Sequence, residues 1–131
     1  MYKIVVLSML FMHIVDDYYL QGVLAKLKQK SWWIKQPEYK PLYKHDYMMA
    51  LFEHAFSWAF CVHIPLITYI LYCHGVNFDW SYVFCTILLN TLFHAIIDDV
   101  KANAHQINLI TDQFLHFVQI LATAMIIYTK I

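Results

Sequence analysis

Three pairs of one histidine and one aspartate occur in this sequence, and in each pair the two residues are four positions apart. The pairs are His13 with Asp17, His94 with Asp98, and Asp112 with His116. Residues four apart lie on the same face of an α-helix, so each pair can direct two side chains at one point. Neutral imidazole and carboxylate are ligands that suit Zn²⁺, Mn²⁺ or Fe²⁺. The pairs therefore predict binding of a divalent metal.

A further apolar segment contributes His54 and, beside it, Glu53. We predict His54 as a ligand, Glu53 as a general base, and Asp98 as a catalytic residue as well as a ligand. The predicted ligands are more than one tetrahedral ion needs, so we expect two ions, zinc or else manganese or iron, with an open position for water. These ligands are His13, Asp17, His54, His94, Asp98, Asp112 and His116.

Other polar residues lie close to the pairs in the sequence. Gln21 continues the face of His13 and Asp17, and we predict that it hydrogen-bonds to a ligand or to a substrate. Lys101 and Gln113 are predicted to lie just outside the ligands and to support them. Asp16 and Asp99 each neighbour a pair member but are turned about 100° away on a helix. We predict that these two lie behind the ligands or at the membrane interface.

The composition indicates the elements that carry these residues. Apolar residues make up 61% of the 131 residues and charged residues 14%, which is too little polar surface for a small water-soluble domain. Four apolar stretches approach the roughly 20 residues that span a bilayer as helix. We therefore predict one all-α domain over residues 1–131, an integral membrane bundle of four transmembrane helices. The predicted spans are about 2–24, 47–72, 80–98 and 107–128.

Charge is unevenly distributed along the chain. Loop 25–46 contains six of the nine lysines, which predicts by the positive-inside rule that it is cytoplasmic and that both termini lie outside. Trp32 and Trp33 in this loop are typical of an interfacial anchor beside anionic headgroups, and capture of a phosphorylated substrate is the alternative. The balanced total charge argues against nucleic acid as a partner. The predicted partner is the lipid bilayer, and self-association stays open.

The predicted depth of the polar residues is the strongest observation. The first and third spans run towards the cytoplasm and carry their pairs late. The second and fourth run away from it and carry His54 and Asp112 early. Alternating helix directions therefore bring all four sets to one level, within about two turns of the inner interface. A single histidine or pair in a membrane helix is more often a hydrogen-bonding partner than a ligand, but this convergence favours a shared site.

The combined motifs resemble an uncharacterised membrane family of bacteria and their phages whose function is unknown. The resemblance rests on HxxxD(F/Y)xLQ at 13–21, a central His54, HxxxDxxK at 94–101 and DQxxH at 112–116. It implies a multi-pass protein of the bacterial inner membrane, or of the host membrane if a phage encodes it. A looser likeness exists to inner-membrane metal-dependent hydrolases, which are in turn similar to the helical zinc-dependent phospholipase C and nuclease folds.

The leading functional expectation is a membrane-embedded, metal-dependent hydrolase. Its substrate would be a phosphoester, in a phospholipid or lipid-linked molecule that reaches the site from the cytoplasmic leaflet. The alternative is a protein without turnover: a metal or proton carrier, or a metal-stabilised protein of a phage that interacts with the host membrane. The same residues would form the site in every case.

Overall fold

The computed structural model describes residues 2–37 and 40–131 of the chain. In chain order, the helices are α1 (Tyr2–Val15), α2 (Leu24–Leu27), α3 (Lys30–Ile34), α4 (Asp46–His74), α5 (Ser81–Ala102) and α6 (Leu109–Tyr128). A π turn over Asp16–Leu20 continues α1, and 3₁₀ turns lie at Pro41–Tyr43 and Gly75–Asn77. Within these described ranges no strand is present. The predicted all-α helical bundle is confirmed, with α1, α4, α5 and α6 as its long elements.

Three helices, α4, α5 and α6, are each long and apolar enough to cross a membrane. Helix α1 has 14 residues, and the π turn extends its helical run to residue 20. The outside of the bundle carries large apolar side chains that are more than half exposed, among them Phe11, Phe52, Phe93 and Phe114. Soluble proteins rarely expose such continuous apolar surface, whereas lipid matches it. The chain is therefore a membrane protein.

The interior of the bundle has an apolar half and a polar half. The apolar half contains fully buried side chains, among them Met9, Leu66, Ile70, Ile120 and Ile127. The polar half lies towards the end where α1 stops and α4 begins, and there the buried side chains are mostly histidines and aspartates. Buried polar groups inside a membrane bundle are costly unless they find partners, so this half is where a functional site is expected.

The segment after α1 folds back over the polar end of the bundle. Gly22 has a φ of 51°, in the left-handed region that costs other residues about 1–2 kcal/mol, and α2 then packs against α4. The Asn103 side chain fixes the returning segment at the end of α5. It accepts a hydrogen bond from the Lys30 backbone N–H at 2.8 Å and donates one to the Lys28 carbonyl at 3.1 Å. Lys28 is thereby held against the polar half.

Candidate metal centre

Each long helix brings its polar residues to the centre by a local feature of its sequence. On α5 and α6 the four-residue spacing aligns His94 with Asp98 and Asp112 with His116, and all four are buried. Helix α6 begins at the right place because the Asn108 side chain caps it, accepting a hydrogen bond from the Thr111 N–H at 2.9 Å. Asp112 therefore lies in the first turn of α6.

The π turn positions the carboxylates of the first helix. Its i→i+5 hydrogen bond runs from the Gln21 N–H to the Asp16 carbonyl at 3.0 Å, and such wider turns are frequent at functional sites. Asp17 is 9% exposed and Asp16 is fully buried. Two consecutive carboxylates thus both lie inside the bundle. Of the two positions that the sequence allowed for Asp16, behind the predicted ligands or at the membrane interface, the structure has the first.

Four potential ligand atoms from three helical segments converge in the first of two groups. The Nε2 atoms of His54 and His94 are 3.2 Å apart. The Asp17 Oδ1 atom lies 3.5 Å and 3.9 Å from these two nitrogens, and the Asp98 Oδ2 atom lies 3.3 Å and 3.7 Å from them. Ligand atoms about 2.0–2.2 Å from a tetrahedral zinc ion are separated by about 3.3–3.6 Å. The observed separations of 3.2–3.9 Å extend a little to either side of this range, so these atoms are close enough together that they could hold one ion.

The second group uses the other oxygen of the same aspartate. The His116 Nε2 atom lies 3.5 Å from Asp98 Oδ1 and 3.5 Å from Asp112 Oδ1. The imidazoles of His94 and His116 stack, with ring centroids 4.1 Å apart. Asp98 therefore directs one carboxylate oxygen at each group. His94 also lies close to both, since it is near Asp17 and His54 on one side and near Asp98 and His116 on the other.

The hydrogen bonding of these atoms tests whether a cation fits. Among the described residues, the His116 Nε2 and Asp112 Oδ1 atoms are buried and have no hydrogen-bond partner. Buried polar atoms are nearly always satisfied, so such a pair needs an explanation, and an ion is one. The nitrogen and carboxylate oxygens match the donors that divalent transition metals prefer. These buried groups could therefore hold a metal ion.

Two lysines at the mouth of the site contact its carboxylates. Lys28 Nζ donates to Asp98 Oδ2 at 2.6 Å, and Lys101 Nζ donates to Asp112 Oδ2 at 2.6 Å. The side chains of Lys28 and Asp98 are 13% and 5% exposed, so this ion pair is nearly excluded from solvent. Lys101 thus takes the supporting position predicted for it, whereas Lys28 was not predicted to lie here.

His13 differs from the prediction because both of its ring nitrogens have protein partners. The Trp58 indole N–H donates to His13 Nδ1 at 2.7 Å, so the proton of the neutral ring is on Nε2, which lies 3.0 Å from Gln113 Oε1. The Gln113 amide nitrogen in turn lies within hydrogen-bond distance of Asp112 and Asp17, at 3.1 Å and 3.4 Å. The hydrogen bonds at both nitrogens favour a positioning role for His13 over the ligand role predicted for it, and Gln113 contacts two of the predicted ligands.

Two further residues lie outside the ligand groups. The Gln21 side chain donates to the Asp17 backbone carbonyl rather than to a ligand atom. The Asp16 carboxylate accepts a hydrogen bond from the Ser57 hydroxyl at 2.8 Å and has its other oxygen 3.8 Å from His54 Nδ1. A carboxylate hydrogen-bonded behind a ligating histidine fixes the orientation of the ring. Asp16 lies on that side of His54, but 3.8 Å is too long for such a bond, and neither atom has a hydrogen-bond partner among the described residues.

The prediction of Glu53 as a general base is wrong. Its side chain is exposed on the outside of α4, whereas the adjacent His54 is fully buried. Neighbouring residues on an α-helix diverge by about 100°, so only one of these two can face the centre. Of the two predicted catalytic residues, only Asp98 lies in the site.

Trp58 is a site residue that the sequence prediction missed. It is fully buried, stacks on His94 with centroids 4.2 Å apart, and donates to His13. Its position four residues after His54 shares the inward face of α4, which is the pattern that could have identified it. Lys28 has no comparable pattern, because its place depends on the fold of the loop.

The fold and the site together define a helical membrane protein with a buried histidine–aspartate centre. No protein-family model matches this chain, and neither the curated proteins nor the solved structures include a match. The resemblance to a bacterial and phage membrane family therefore stays a prediction from the motifs.

Because His13 is hydrogen-bonded at both nitrogens, its substitution should affect metal binding less than substitution of a predicted ligand. We expect His13→Ala to weaken metal binding by roughly 10–100-fold, the usual effect of losing a residue that orients a ligand, while the stoichiometry is retained. Titration of purified protein with a competing chelator would measure this. His63→Ala is the matched control, because His63 is equally buried but contacts Ala59 and Thr86 instead. Loss of stoichiometric metal from His13→Ala would restore its assignment as a ligand.

Proposed function

We propose that this protein is a membrane-embedded, metal-dependent hydrolase of phosphoesters with a two-ion centre. One ion would be held by Asp17, His54, His94 and Asp98, and the other by Asp98, Asp112 and His116. The observation that carries the proposal is the convergence of four ligand atoms at 3.2–3.9 Å, with the second Asp98 oxygen facing His116. Zinc suits this donor set best, and manganese or iron is the alternative.

The charge of the polar half supports a cationic occupant and an anionic substrate. Four buried carboxylates (Asp16, Asp17, Asp98 and Asp112) face two lysines, which leaves a deficit of about two positive charges when the imidazoles are neutral. One divalent ion would neutralise the site. A second ion would give it a positive excess, complementary to phosphate.

The residues of the chain would divide the work between binding and orientation. When bound, a pair of divalent ions lowers the pKa of water and stabilises charge on a phosphoryl group. Asp98 would keep the two positions together, Gln113 would hold Asp17 and Asp112 in place, and Trp58 would exclude water from the apolar side. Lys28 and Lys101 lie at the more exposed edge, where a substrate phosphate would enter.

The depth of the site supports a lipid or lipid-linked substrate. Helix α4 begins at Asp46, and His54 is eight residues further along, about 12 Å at the α-helical rise. The centre would thus lie just inside the headgroups of the leaflet that faces loop 25–46. With the loop in the cytoplasm by its lysines, both termini would be outside, and the membrane would be the bacterial inner membrane or that of a phage host.

Metal analysis with an activity assay would test the proposal. We expect detergent-purified protein to contain stoichiometric divalent metal and to hydrolyse a phosphate monoester or diester in its presence. His94→Ala should lose both properties, whereas Glu53→Gln, on the outer face of the same polar level, should keep both. Metal without turnover on phosphoesters would favour the carrier or the metal-stabilised interaction protein. Wild-type protein without stoichiometric metal would overturn the metal centre itself.

A further inference from the structure

A cavity lies at the same end of the bundle but outside the histidine–aspartate centre. Its volume is about 340 Å³, and its lining combines basic and aromatic side chains. The lining residues are Lys30, Trp33, Ile34, Lys44, His45 and Tyr47. None of them belongs to the groups assigned to metal, so this cavity has no part in the proposed hydrolysis.

Several contacts hold the cavity in shape. The Lys30 backbone N–H is hydrogen-bonded to the Asn103 side chain at 2.8 Å, and the Trp33 indole N–H donates to the Leu27 carbonyl at 2.7 Å. The Lys30 ammonium lies 4.6 Å from the centre of the Tyr47 ring, a cation–π distance. The Tyr47 side chain also raises the pKa of Lys30. Lys30 is therefore a fixed positive charge at physiological pH.

The position of the cavity along α4 corresponds to the headgroup region of a bilayer. Helix α4 has 29 residues and is about 43 Å long, whereas the hydrocarbon core is about 30 Å thick. The helix is therefore about 13 Å longer than the core, and the charged Asp46 in its first turn favours placing that turn, with Tyr47, in the headgroup region. Tryptophan and tyrosine settle at this level because their rings are apolar and their polar atoms reach water. A cavity at this level would face lipid phosphates.

We propose that this cavity binds the phosphate headgroup of an acidic phospholipid. Lys30 and Lys44 supply two positive charges, and basic pockets at the cytoplasmic ends of membrane helices bind such headgroups. Ile34 at the rim is 65% exposed, which suits contact with the glycerol and first acyl carbons of a lipid rather than with a soluble anion. The site is independent of the metal centre and would hold in a protein without enzymatic activity.

Lipid binding by charge-matched variants tests this site. The full-length protein in a neutral detergent would be titrated with phosphatidylglycerol or phosphatidylcholine, and bound lipid would be counted by native mass spectrometry. We expect tighter binding of phosphatidylglycerol, reduced about tenfold or more in a Lys30→Gln/Lys44→Gln variant. A Lys26→Gln/Lys35→Gln variant removes the same charge from two exposed lysines outside the cavity and should bind like wild type.

Three outcomes would overturn the proposal. Equal losses in both double variants would show a general charge effect instead of a site. Unchanged phosphatidylglycerol binding after Lys30→Gln/Lys44→Gln would remove the cavity as the binding place. Displacement of the lipid by inorganic phosphate at equal concentration would assign the cavity to a soluble anion. If the double variant does not fold, Lys44→Gln alone can be used, and we expect it to weaken phosphatidylglycerol binding by a few-fold.

Discussion

The Asp98→Asn variant is expected to retain the helical bundle and to lose stoichiometric binding of divalent metal. Asparagine keeps the shape of the side chain but removes its charge and replaces one oxygen by a donor. That change affects both groups, because Oδ2 lies 3.3 Å from His54 Nε2 and Oδ1 lies 3.5 Å from His116 Nε2. The loss of affinity should exceed the roughly 10–100-fold caused by removing an outer partner. Metal content after dialysis against a chelator would measure it.

Asp99→Asn is the matched control for this substitution. Asp99 is the next residue of α5, and its carboxylate accepts a hydrogen bond from Asn103 at 2.7 Å instead of facing the ligand groups. We expect this variant to bind metal like wild type. If Asp98→Asn retained wild-type affinity, Asp98 would not connect two ions. If both variants lost metal equally, the effect would come from the charge at the end of α5.

The Lys28→Met variant is expected to destabilise the metal-free protein by about 3–5 kcal/mol, because it leaves the buried Asp98 carboxylate without its partner. Methionine keeps most of the side-chain length and removes the ammonium that lies 2.6 Å from Asp98 Oδ2. A divalent ion at the same oxygen would replace the missing charge. Thermal unfolding in detergent should therefore show a large deficit without zinc and a much smaller one with it.

Lys26→Met controls for the loss of a lysine from the same segment, since Lys26 is exposed and two residues away. Its unfolding curve should match that of wild type with and without zinc. An equal deficit of Lys28→Met in both conditions would contradict the idea that its ammonium and a metal ion share one carboxylate.

The helices and the common depth of the buried histidines and aspartates could be predicted from the sequence, because both depend on local spacing. Four-residue repeats place His94 with Asp98 and Asp112 with His116 on one face whatever the packing. The identification of Asp98 as the connecting residue needed the crossing of α4, α5 and α6, which spacing does not contain. Three of the four predicted spans, those of α4, α5 and α6, are long and apolar enough to cross a membrane, and these were likewise predictable from composition.

The remaining residues depend on features that a helical pattern does not encode. Asp16 is buried because the helix widens into a π turn, and Lys28 arrives through the reversal at Gly22. His13 has the spacing of a ligand, but both of its ring nitrogens are hydrogen-bonded, Nδ1 to the Trp58 indole and Nε2 to Gln113. Glu53 was predicted as a general base because it is next to His54 in the sequence, but adjacent residues of a helix lie on different faces.

The more exposed atoms of the site all lie at one end of the bundle. Asp17, Lys28 and Lys101 retain 11%, 13% and 34% of their side-chain exposure, whereas His54, His94 and His116 have none. A metal ion bound at this site would thus be expected to exchange only with the compartment that this end faces. In sealed vesicles, an impermeant chelator would remove metal only from molecules inserted in one direction. The fraction of metal lost would therefore measure the orientation of the protein in the membrane.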